Sequence, residues 1–182
     1  MESFKRVLET IYRHPHVLYG TGDRHEKCFE KILLGHGINH LLPCYTGGYI
    51  RHPFGENRFP DFHLHLNRCI IPIELKSTRR TRCNIGDTWI KPECIYIISY
   101  PSNTFISLGR DMIHQKEEEL YQKYYEDLRI LRKKYATEEK RHIILYPRSS
   151  VQYTMLDSEK DVNYQKTVTY LEQIILRAGS VI

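Results

Sequence analysis

The spacing of hydrophobic residues changes several times along the chain, and each change marks an element. Phe4, Val7, Leu8, Ile11 and Tyr12 recur at helical spacing, so residues 2–13 read as a helix. His14-Pro15-His16 stops it, because a residue before proline avoids the helical region. Phe29, Ile32, Leu33 and His36 predict a second helix over about 23–36, with Gly35 and Gly37 suited to its end. A turn-rich stretch follows, with Pro43, Gly47, Gly48, Pro53 and Gly55. Runs at about 58–66 and 69–76 read as strands, as do 95–100 and 104–108, the latter two joined by the turn Pro101-Ser102-Asn103.

Asp111 suits the N-cap of a long helix reaching about 135. Its apolar stripe is Ile113, Leu120, Tyr124, Leu128, Leu131 and Tyr135, and the spacing predicts that this stripe is buried. Residues 143–146 and 151–156 read as strands. A last helix begins near 161, with Tyr164, Val168, Leu171 and Ile175 on one face and Gly179 after its end. This order implies an α/β domain with a mixed sheet. No repeat, low-complexity tract or Gly/Ser linker interrupts it, so residues 1–182 read as a single domain.

Composition narrows the class. The 182 residues are 41% hydrophobic and 27% charged, which is globular rather than disordered. No apolar run approaches a bilayer span, and the opening residues mix charge into every turn, unlike a signal peptide. The five cysteines (Cys28, Cys44, Cys69, Cys83, Cys94) are odd in number and scattered, which points to a reducing cytoplasm and away from structural zinc. P-loop, nucleophile-elbow and His-Glu-x-x-His patterns are absent. Residues 1–91 carry 14 Lys/Arg against 9 Asp/Glu, while 92–182 carry 13 against 13, so the net +5 sits in the first half. Such a basic field suits a polyanion, nucleic acid being the commonest, although a solvated basic surface would read the same way.

The chemistry concentrates in one hairpin. Asn67-Arg68 suits a two-residue turn, since Asn tolerates the positive φ such turns need. Leu66 then faces Cys69, and the same register sets Asp61 opposite Glu74, with Cβ atoms about 5 Å apart. Glu74 and Lys76, two apart on one strand, project from the same face. Opposed carboxylates repel unless neutralised; a divalent cation does that, and hard oxygen donors favour Mg²⁺. The other face carries Phe62, Leu64 and Leu66 against Ile71, Ile73 and Leu75 for the core, so the acid–acid–lysine side is expected to meet solvent. The ordinary alternative is a set of salt bridges joining Asp61 and Glu74 to Lys76 and Arg58.

Pro60-Asp61 followed by Glu74-Leu75-Lys76 resembles the PD-(D/E)xK nuclease superfamily, most of all a type II restriction endonuclease. Glu26 lies on a preceding helix, similar to the one that supplies an additional acid in that superfamily. The order from Lys76-Ser77-Thr78 through Asn84-Ile85-Gly86-Asp87-Thr88-Trp89 to the strand at 95–98 looks like that of restriction enzymes. The resemblance covers roughly residues 23–111.

It implies a restriction-endonuclease-like core, a central mixed sheet flanked by helices. It also implies Mg²⁺-dependent hydrolysis of double-stranded DNA at a specific site, with Mn²⁺ able to substitute. Asp61, Glu74 and the Leu75 carbonyl would hold the ion, and Lys76 would orient the attacking water. Glu26 either helps to hold a second ion or metal-bound water, or closes a capping box with Asp23. Arg79, Arg80 and Arg82 would clamp phosphates, with Lys91 a weaker candidate. A palindromic site would call for a two-fold homodimer. His63 and His65 share the face of Asp61 and read as exposed strand histidines. Trp89 reads as packed under its loop, and Asn84 and Asp87 either read bases or shape a turn. The competing readings are a Holliday junction resolvase or repair nuclease of the same fold, and a non-catalytic DNA-binding module.

Overall fold

The computed structural model describes residues 2–18, 20, 23–41, 47–56, 58–66, 69–80, 82–86, 90–113, 115–135 and 149–179. Two helices come first, α1 (Glu2–Arg13) and α2 (Asp23–Gly35). Strands β1 (Gly48–Arg51), β2 (Phe62–Leu66), β3 (Cys69–Ser77), β4 (Arg82–Gly86), β5 (Ile95–Ser99) and β6 (Thr104–Leu108) follow. Helix α3 (Gln115–Tyr135), strand β7 (Ser149–Gln152) and helix α4 (Tyr153–Gly179) complete the order. The main sheet is mixed, in the order β1-β2-β3-β5-β6; β3 and β5 are parallel and every other neighbouring pair is antiparallel. β4 and β7 form a separate antiparallel ribbon. The fold is therefore α/β, with a five-stranded mixed sheet flanked by helices. Among the described residues no helix is long and apolar enough to cross a membrane.

Alternation along the strands feeds two cores. Phe62, Leu64, Ile71, Ile73, Leu75, Ile95, Ile97, Ile106 and Leu108 pack on one face against Phe4, Val7, Leu8 and Ile11 of α1, Phe29 and Leu33 of α2, and Leu171 of α4. Phe29 meets Phe62 edge-on, with ring centroids 5.1 Å apart. On the other face Tyr96, Ile98 and Phe105 join Cys83 and Ile85 of β4, with Ile90, Cys94 and Tyr100. Both faces of β5 and β6 are thus covered, which is why their Ile- and Phe-rich runs lack polar alternation.

Several elements differ from the sequence reading. β1 lies in the stretch read as turns: it has only four residues and starts on glycine, so partner strand β2 and not propensity defines it. Gly48 has φ +150°, and a Cβ there would lie 2.6 Å from the Asn39 carbonyl oxygen. β4 likewise runs through residues read as loop. Residues 58–61 precede β2 and are not part of it. Asp111 ends a short 3₁₀ turn and caps no helix; α3 starts at Gln115. The strand read at 151–156 is confined to β7, and α4 begins eight residues before 161. Its buried face is Asn163, Thr167 and Leu171, two of them polar; the Thr167 hydroxyl donates to the Asn163 carbonyl at 2.8 Å. The strand read at 143–146 lies outside the described residues. The stripe on α3 stands exposed at Leu120, Tyr124 and Leu131, where burial was expected.

Candidate functional site

The hairpin register explains how the acids meet. β2 and β3 pair from Leu66 opposite Cys69 to Phe62 opposite Ile73. One step beyond, the Asp61 N–H donates to Glu74 Oε2 at 3.2 Å, and the Leu75 N–H donates to Asp61 Oδ2 at 2.7 Å. On the other side β1 pairs with β2 as far as Arg51 opposite Phe62, and the His52 N–H then donates to the Asp61 carbonyl at 2.7 Å. Asp61 is therefore clasped between His52 and Glu74. On the parallel side Glu74 aligns with Tyr96 and Lys76 with Ile98.

Glu74 departs from the solvent-facing position read from the sequence. Only 5% of it is exposed, because Tyr96, Ile98 and the ribbon residue Cys83 belong to a second core on that face. The Lys76 ammonium donates to Glu74 Oε1. Burial pushes the Glu74 carboxyl up to about 7; Lys76 pulls it down and the Asp61 charge pushes it up. Burial also weakens the Lys76 ammonium, but Glu74 and Asp61 outweigh that and hold its pKa above the ordinary lysine value. The Lys76–Glu74 pair anticipated by the salt-bridge alternative is present, while Arg58 is exposed.

Helix α2 brings a second set. Asp23, Glu26 and Glu30, spaced by three and four, share one helical face. Arg51 meets all three: its guanidinium pairs with Asp23, lies 3.0 Å from Glu26 Oε2 and 3.6 Å from Glu30 Oε2. His52 Nε2 lies 2.6 Å from the same Glu26 oxygen, and the Tyr49 hydroxyl donates to Glu30 at 2.7 Å. Ligand-type atoms of Glu26, His52 and Asp61 all fall within 4.8 Å of one another. Asp23 pairs with Lys27 at 2.5 Å as well as with Arg51. His52 itself has φ +48°, uncommon for a residue with a side chain.

Arg51 and His52 were missed in the sequence reading. The acidic row on α2 was the available signal, since three carboxylates on one face require a cation, but nothing in the spacing identifies which one. His63 and His65 are half-buried and edge-on to each other, not exposed; burial and the neighbouring His65 lower the His63 pKa. Arg79 and Arg80 are exposed directly after β3, and Arg82 is exposed on β4. Lys91 lies beyond β4, its N–H donating to the Tyr96 hydroxyl at 2.9 Å. Asn84 is on β4, opposite Ser150 of β7; Asp87 and Trp89 lie outside the described residues. No family model, curated protein or solved structure matches this chain.

Proposed function

We propose that this chain is a PD-(D/E)xK nuclease, a type II restriction endonuclease that hydrolyses phosphodiester bonds of double-stranded DNA with Mg²⁺, and that it works as a two-fold homodimer on a palindromic site. The observation that carries the reading is the convergence of Asp61, Glu74 and Lys76 at one end of a central strand, with the Leu75 backbone linking the two acids. A buried carboxylate with a pKa near 7 is costly to ionise, and a sheet whose only need was a core would carry an apolar residue there.

The donor set fits a hard divalent ion. Asp61, Glu74 and the Leu75 carbonyl would hold it, with Glu26 and His52 adjacent to Asp61. When bound, the ion would supply an acidified water and charge neutralisation at the scissile phosphate. The protein's own groups do the rest. The Leu75 N–H fixes the Asp61 carboxylate, and Lys76 stays cationic at neutral pH, offsetting negative charge on the phosphate. Arg51 and His52 hold Glu26 in place beside Asp61. The exposed Arg79, Arg80 and Arg82 would bind the DNA backbone.

The test is incubation of the purified protein with plasmid and Mg²⁺. Discrete bands, lost in EDTA and not supported by Ca²⁺, are expected. Cleavage that persists in EDTA would remove the proposed site, a preference for branched DNA would move the reading to a resolvase, and binding without cleavage would leave a DNA-binding module.

A further inference from the structure

The sheet face that carries Asp61 and Glu74 continues beyond them as a strip of rings and apolar side chains. Side chains alternate along a strand, so His63 and His65 share the side of Asp61, and Pro72 and Ile70 share that of Glu74. The register makes this a ladder. Ile50, His63 and Pro72 lie abreast on the first rung past the acids, and Gly48, His65 and Ile70 on the second. Successive rungs are about 7 Å apart, the scale of a nucleotide step in an extended strand. Phe54 stands at right angles to His63, with ring centroids 5.3 Å apart, and His63 lies 6.2 Å from His65. Phe54 is 58% exposed, and Ile70, at the far end, is 55% exposed. A lone exposed apolar residue needs no explanation, but these two bracket a contiguous row that ends on the acids.

Phe54 is not placed by the core. It sits in a turn where Gly, Asn, Asp or Ser is the usual occupant, closed by the Gly55 N–H donating to the His52 carbonyl at 2.9 Å. The His52 N–H donates in turn to the Asp61 carbonyl at 2.7 Å, so the turn is fixed to the acid site. A T-shaped contact engages at most one face of a ring, so His63 leaves Phe54 a face for another flat ring. Glu56 and Arg58, both exposed on the same loop, offset each other, so the loop offers a ring rather than a net charge. A flat, apolar group that arrives attached to a phosphate at Asp61 and Glu74 is a nucleobase. In an intact duplex that base is stacked on its neighbours, so the base that reaches Phe54 is unpaired.

We propose that Phe54, backed by His63, is a stacking platform for an unpaired nucleobase of the strand whose phosphate lies at Asp61 and Glu74. This rests on the reading of DNA as the substrate, and adds that the base beside the cut is out of the helix, turned out of a duplex or lying in a single-stranded stretch. Every base has a face to stack, so the platform holds the strand without reading its sequence.

Fluorescence anisotropy of labelled DNA with the full chain in Ca²⁺ tests it. A short single strand should bind at least about tenfold more tightly than an abasic strand of the same length and charge. Phe54→Ala should abolish that difference, and so should Phe54→Leu, which stays apolar but loses the ring. Phe54→Trp should preserve it, and its fluorescence should be quenched, relative to the parent, by the strand with bases but not by the abasic strand. A duplex with a mismatched pair identifies the source: tighter, Phe54-dependent binding than to the matched duplex supports a base turned out of the helix, and Phe54 dependence on the single strand alone supports a single-stranded stretch. Equal affinity of the parent for the two single strands, or a difference that survives both Phe54→Ala and Phe54→Leu, would overturn the proposal. Base-dependent binding by a chain that cuts no DNA in Mg²⁺ would strike the nuclease reading and leave the platform; cleavage by a chain indifferent to bases would do the reverse.

Discussion

The Asp61 N–H donates to the Glu74 carboxylate at 3.2 Å, so each of the two acids is positioned partly by the backbone beside the other. Asp61 reaches forward to the Leu75 N–H while Glu74 reaches back to the Asp61 N–H. Two like charges are held close by reciprocal main-chain donors, and the repulsion between them is part of what raises Glu74.

Asp61→Asn should keep that clasp, because an amide oxygen can still accept from Leu75. We expect stability within about 1 kcal/mol of the parent, as for a replaced but not removed acceptor. Single-turnover cleavage should fall by at least about 10²–10³-fold. Cleavage at the parental rate would sink the proposed chemistry.

Lys76→Ala should lower cleavage by a similar factor, but the cost to folding differs. The residue is 25% exposed in its side chain and neutralises a buried carboxylate, so its loss should destabilise by roughly 2–3 kcal/mol at pH 8. At pH 5, where Glu74 is already protonated, the loss should be much smaller. Chemical denaturation of the variant at the two pH values checks this, and equal losses would mean that Glu74 is not its main partner.

Glu74 makes a pH prediction with a definite sign. Its folded pKa lies above the unfolded value, so folding favours the protonated acid. That contribution is complete below about pH 4 and is lost as pH rises through 7. The stability difference between Glu74→Gln and the parent should therefore shift toward the variant by on the order of 3 kcal/mol between pH 4 and pH 8. Paired urea titrations measure it; a difference independent of pH would return Glu74 to an ordinary carboxylate range.

Arg79→Ala with Arg80→Ala should weaken DNA binding and reduce the slope of log affinity against log salt by roughly one to two. Unchanged affinity and slope would make these exposed residues idle. Altered site preference at constant slope would make them base readers.

These outcomes depend on features of unequal legibility. The hairpin could be read because strand alternation and a two-residue turn jointly set register, and Leu66 does face Cys69. The burial of Glu74 could not, because the alternation of β4 (Arg82 and Asn84 exposed, Cys83 and Ile85 buried) is only a few residues long and does not say that β4 joins Tyr96 and Ile98 in a second core on the Glu74 face. β1 escaped for a related reason: Gly48 to Arg51 become a strand only by pairing with β2. The α3 stripe has the period of a helix, and the helix is there, but Leu120, Tyr124 and Leu131 stand exposed, since the period predicts the helix without fixing what packs against it.

The ribbon has a consequence for the order of assembly. β4 at 82–86 pairs with β7 at 149–152, across more than sixty residues of intervening chain, whereas β1, β2 and β3 join near neighbours. Contacts of such long sequence separation carry the larger loop-closure cost and form late. During synthesis, then, the Asp61–Glu74 hairpin is made and paired well before the strand that completes its covering ribbon has left the ribosome. Until that strand arrives, β4, which carries Cys83 and Ile85 into the core on the Glu74 face, lacks its only ladder partner among the described residues.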